Sequence, residues 1–65
     1  GIYRSMQKGA EAYKSEDYDS ALKYFIEAQV KEPNRLEIFY NIGNVYYKIH
    51  EFKVDLKHIN NMFNV

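Results

Sequence analysis

The side chains best spaced for chemistry are His50 and His58, eight residues apart, with Asp55 three residues before the second histidine. On a helix, Asp55 and His58 share a face, so the carboxylate could orient the imidazole or share a metal with it. Zinc takes three or four protein ligands, and two weak ones fall short of that. A solvated surface pair is therefore the expected reading, with a small metal-binding protein as a remote alternative. The sequence offers no nucleophile–base pair and no carboxylate pair placed for acid–base work. Gly9 and Gly43 stand alone inside helical stretches and form no phosphate-cradling loop. Ser5, Ser15 and Ser20 fall on a helix surface, in a turn and at a helix start. No catalytic residue, metal ligand or cofactor is expected, and the chain is not expected to be an enzyme.

The elements that carry these residues come in duplicate. Gly9 and Gly43 lie 34 residues apart in two segments that align without a gap. Tyr13 falls on Tyr47, Lys14 on Lys48, Asp17 on Glu51, Leu22 on Leu56 and Phe25 on Ile59. A period of this length marks a helical repeat array, whose units bury their apolar faces against their neighbours. Helix one is expected over about Ile2 to Lys14, with Gly9 inside it for close approach of the next helix. Ser15-Glu16-Asp17 forms a polar turn and Asp17 caps helix two. Helix two runs from about Tyr18 to Lys31, with Tyr18, Ala21, Leu22, Phe25, Ala28 and Gln29 on one stripe. Glu32-Pro33-Asn34 ends it, because the residue before proline is driven out of helical geometry. Asn34 and Glu37 have capping-box spacing for helix three. There, Phe39, Ile42, Val45, Tyr46 and Ile49 form the expected core face, and Gly43 is expected to repeat the role of Gly9. Helix four covers about Phe52 to Phe63, and Asn60, Asn61 and Asn64 favour fraying at its end. No segment reads as a strand. One domain results, with repeat one at about 2–34 and repeat two at about 36–65.

The period, read with its residues, resembles the tetratricopeptide repeat family. Phe39, Ile42, Gly43 and Tyr46 match the first-helix half of that signature. Ala21, Phe25 and Pro33 match the second-helix half, after Asp17-Tyr18-Asp19. Departures fall on the outer helices: Ser5, Lys8 and Ala12 replace the aromatic, the Leu and the Tyr of helix one. Asp55 and Met62 replace small residues of helix four. The resemblance implies an all-α fold of two stacked antiparallel helix-turn-helix repeats in a short right-handed superhelix. It also implies a non-catalytic protein–protein interaction module, serving as a peptide-binding or assembly scaffold. Ligands of the family usually bind the concave face of the first helices. Here that face would show Tyr3, Met6, Ala10 and Tyr13 from repeat one, and Tyr40, Asn41, Asn44, Tyr47 and Lys48 from repeat two. The bland alternative is that Tyr13 and Tyr47 merely pad the repeat interface. A subclass that clamps carboxylate tails has Asn and Lys on helix one, where this chain has Ala10 and Met6.

Sixty-five residues with no cysteine form at most one small domain without a disulfide staple. Nine basic and nine acidic side chains cancel and are interspersed, so no electrostatic footprint for nucleic acid or an anionic membrane is present. Lys23 and Glu27, four residues apart, read as solvated helix surface. No apolar run has transmembrane length and no signal peptide is visible, which leaves the cytoplasm as the default compartment. Seven Tyr and four Phe suit thin helical layers and binding surfaces alike. The chain starts with Gly1, as a fragment of a longer repeat protein would.

A second pattern competes with four short helices. Ile42, Val45, Ile49, Phe52, Leu56, Ile59 and Phe63 follow one another at three- and four-residue steps, a heptad seam that runs through the expected turn at His50-Glu51. On that reading helices three and four fuse into one rod and exchange with a second chain. Val54, Ile59, Met62 and Phe63 would then serve self-association, making the chain a homodimer.

Overall fold

The computed structural model describes residues 1–63 and contains three helices: α1 (Tyr3–Lys14), α2 (Tyr18–Lys31) and α3 (Leu36–Phe63). No strand occurs among the described residues, and the fold is all-α. Asn64 and the end of the expected second repeat lie outside the described residues.

The turn between α1 and α2 is built from backbone hydrogen bonds. The Asp17 N–H reaches back to the Ala12 carbonyl at 2.9 Å, and the Glu16 N–H to the Tyr13 carbonyl at 3.0 Å. This pair of bonds defines a Schellman C-cap, which requires a left-handed residue just past the helix. Glu16 supplies it, with φ of 62°. Asp17 then caps α2, its Oδ1 accepting from the Ser20 N–H at 3.2 Å. The next turn differs from expectation, since Asn34 and Glu37 form no capping box. The Arg35 guanidinium occupies Glu37 at 2.9 Å and Glu32 at 3.1 Å, and α3 begins at Leu36.

Helix α2 lies between α1 and the first half of α3. Ala21 and Ala28, two turns apart, are fully buried, and their small side chains let both neighbours approach. Phe25 lies between them on the same stripe. Its ring carbons come within 2.5 to 2.9 Å of where a Cβ on Gly9 would stand, so only glycine fits there. Ser5, expected at the surface, is buried on the Gly9 face of α1. One core cluster joins Ile2, Ala28 and Ile38; the other joins Ala21, Phe25 and Val45. Ile42 and Ile49 are half-buried at their margins. The expected core face of helix three thus holds at Ile42, Val45 and Ile49 and differs at its edge. Ile38 is buried, while Phe39 and Tyr46 are exposed.

Phe39 and Tyr46 stay uncovered because α3 does not turn back on itself. No separate helix four exists among the described residues, because the helix continues through His50-Glu51. Glycine and proline are both missing there, and the Lys48 ammonium bridges to Glu51 at 3.6 Å, one turn across the expected hinge. Twenty-eight residues span about 42 Å at 1.5 Å per residue, and the molecule is 52 Å in its longest dimension. Asn60 and Asn61 remain helical. Residues 51–63 are all exposed, and none of them folds back onto Phe39, Gly43 or Tyr46. Gly43 does not repeat the role of Gly9 within the chain: a Cβ there would meet nothing within 4 Å.

Candidate partner-binding surface

Helices α1 and α3 flank a small cleft of about 150 Å³, lined by Ala10, Tyr13, Lys14, Phe25, Asn41 and Asn44. Its floor is apolar, and its rim carries two amides and an ammonium. The amides can donate to and accept from a peptide backbone, because each carries a carbonyl and an NH₂ group. Tyr13 is half-buried beside the cleft, its ring packed edge-on against Tyr18 with centroids 5.8 Å apart and planes at 67°. That contact closes the end of the α1–α2 hairpin and holds the Tyr13 ring in place.

Four of the residues expected on the concave face, Ala10, Tyr13, Asn41 and Asn44, thus come together around one cavity. Tyr40 and Tyr47 stand two turns apart on α3, 70% and 63% exposed, flanking the cleft without lining it. Lys48 is half-buried next to Tyr47 and tied to Glu51. The Glu51 carboxylate, helped by Tyr13, holds the Lys48 ammonium above the ordinary lysine pKa. Tyr3 is exposed at the far end of α1, beside a separate cleft shared with Ile2, Met6 and Arg35. Met6 is a correction. It packs against both core clusters, because it sits one turn above Ile2 on the buried side of α1, and its unbranched chain fills the gap between them.

Two lining residues escaped the sequence reading. Lys14 lies four residues after Ala10 and was legible from helical spacing. Phe25 was assigned wholly to the core, and only the crossing of α1 and α2 brings its ring edge to the cleft. On the other side of the hairpin the Lys8 and Lys23 ammonium groups lie 5.6 and 5.8 Å from the Tyr24 ring centroid, so Lys23 engages an aromatic face. Among the described residues no three His, Cys, Asp or Glu side chains cluster as a metal site would need. No helix among them is long and apolar enough to cross a membrane.

The second half of α3 offers a different surface. Phe52, Val54, Leu56, Ile59, Met62 and Phe63 are all exposed, from 39% at Val54 to 84% at Phe63. No protein-family model, curated protein or solved structure matches this chain.

Proposed function

We propose that the chain is a non-catalytic protein–protein interaction module of the tetratricopeptide kind, which binds an extended peptide across α1 and the first half of α3. The observation that carries this reading is the cleft where Ala10, Tyr13, Asn41 and Asn44 converge, flanked by the exposed rings of Tyr40 and Tyr47. The cleft takes one small apolar side chain. Asn41 and Asn44 hydrogen-bond the peptide backbone, and the tyrosines cover it at low entropic cost, since each ring has few rotatable bonds. Lys48 favours an acidic residue near the peptide's end. Neither a cofactor nor a nucleic acid belongs to this function.

The test is selection of peptides from a displayed random library on the purified chain, followed by chemical-shift mapping. Shifts should concentrate on Tyr13, Asn41, Asn44 and Tyr47. Replacing Tyr47 with Ala should cost about 2 kcal/mol of binding, as aromatic anchors commonly do. Peptides that mapped to the Lys23 and Glu27 face would overturn the reading.

A second reading is favoured by the exposed apolar row on residues 52–63. Self-association through Val54, Ile59, Met62 and Phe63 would remove from water a patch that soluble monomers rarely leave open.

A further inference from the structure

One face of α3 is covered along its first half and bare along its second. At 3.6 residues per turn, Ile38, Val45 and Leu56 fall within about 20° of one another around the helix. The α1–α2 hairpin buries the first two. Beyond Ile49 the same stripe continues as Phe52, Leu56, Ile59 and Phe63, at steps of four, three and four residues. These four side chains lie within about 60° of one another, and all are exposed. No charged residue interrupts the stripe. Lys53 and Asp55 stand at its two margins, Lys57 and His58 lie behind it, and Val54 is on the opposite side of the helix.

We propose that two copies of this chain pair the second halves of α3 antiparallel through this one face, with Leu56 of each against the partner's Ile59 and Phe52 of each against the partner's Phe63. The proposal rests on the self-association reading above; it adds the face, the direction and the register, and it leaves Val54 out. Leu56 and Ile59 share their midpoint with Phe52 and Phe63, between residues 57 and 58. One two-fold axis there satisfies every contact with the same side of each helix, as a self-complementary interface requires. Glu51 stays clear of its own counterpart, thirteen residues or about 20 Å away along the pair.

The hairpin sets the direction. It occupies this same face over residues 38–49, so parallel copies would drive two hairpins into one place. Antiparallel copies hold the hairpins at opposite ends. The partner's Phe63 then arrives at the hairpin's tip, where Glu16, Asp17, Tyr18, Asp19, Ile49 and Phe52 line a cleft of about 360 Å³. Area sets the strength. At about 200 Å² for a Phe side chain, exposures of 60% and 84% leave roughly 120 and 170 Å² open on Phe52 and Phe63. Leu56 and Ile59, about half exposed, bring each copy to roughly 450 Å². The pair buries about 900 Å², which belongs to weak, concentration-dependent association.

Sedimentation equilibrium of the full chain, run up to about 1 mM, should show a monomer–dimer equilibrium. Leu56→Glu should weaken dimerisation at least about tenfold, because it buries an unpaired carboxylate against the partner's Ile59 twice over. Val54→Glu, at the same level on the opposite side, should leave the dimer intact. Both positions are exposed in the single chain, so far-UV circular dichroism at high dilution should stay helical for either variant. The chain has no cysteine, so direction can be read by oxidation. Copies carrying Phe52→Cys should cross-link to copies carrying Phe63→Cys when the two are mixed. Neither should cross-link alone, since like positions stand eleven residues or about 16 Å apart. A monomer at every concentration would overturn both the pairing and self-association itself. A dimer that ignored Leu56→Glu, that yielded equally to Val54→Glu, that formed no mixed cross-link, or that cross-linked through Phe52→Cys alone would overturn the pairing only.

Discussion

Gly9→Ala tests the tightest contact in the molecule. An ideal Cβ at Gly9 stands 2.5, 2.7 and 2.9 Å from Cε1, Cδ1 and Cζ of Phe25. Favourable carbon–carbon contacts lie near 3.5–4.0 Å, so one group must retreat by about 1 Å. The ring cannot swing freely, because it is 3% exposed and packed with Ala21 and Val45. Overpacking of this kind costs about 1–3 kcal/mol. Alanine returns roughly 0.5–1 kcal/mol of helix propensity at an interior position. The net expectation is a loss of about 0.5–2 kcal/mol. For a domain of this size that lowers the melting temperature by about 4–15 °C. Gly43→Ala provides the control, since nothing lies within 4 Å of its Cβ and only the propensity gain of about 0.5–1 kcal/mol remains. Urea unfolding followed by far-UV circular dichroism, at one dilute chain concentration, measures both. The two alanines should move stability in opposite directions. Phe25→Leu on the Gly9→Ala background should cost less than the two changes summed, because the smaller side chain vacates the contested space. A Gly9→Ala chain as stable as the parent, or more so, would refute the account of the α1–α2 contact.

Two further substitutions probe other joints. Ala21→Leu puts a large side chain at a fully buried position on α2 and should destabilise by about 1–3 kcal/mol, read as a shift in the urea midpoint. Glu16→Gly relieves the left-handed residue of the α1–α2 turn and should stabilise by about 1 kcal/mol, read as a rise in melting temperature; an unchanged or lower value would contradict the Schellman cap.

Local signals in the sequence determined where α1 ends and where α2 begins and ends. Asp17 caps because its carboxylate reaches the N–H three residues on, and Pro33 stops α2 because of backbone sterics. These are short-range effects, complete within a few residues. Even the fusion of helices three and four was legible as an alternative, in the unbroken seam from Ile42 to Phe63 with no glycine or proline at His50-Glu51. The choice between hinge and rod was not, because it balances local helix propensity against the burial gained by folding back. The same is true of what each repeated residue does. Gly9 and Gly43 look alike along the chain, but one meets Phe25 and the other meets open space. Ile38 and Phe39 are adjacent apolar residues, and which one is buried depends on the rotation of α3 against α2. Met6 was placed on the open face by the family resemblance and instead packs, half-buried, against both core clusters, because they converge on it. Burial is a property of pairs of elements rather than of one, so helix ends could be read from the sequence, while the cleft between α1 and α3 and the open face of the rod were decided by tertiary packing alone.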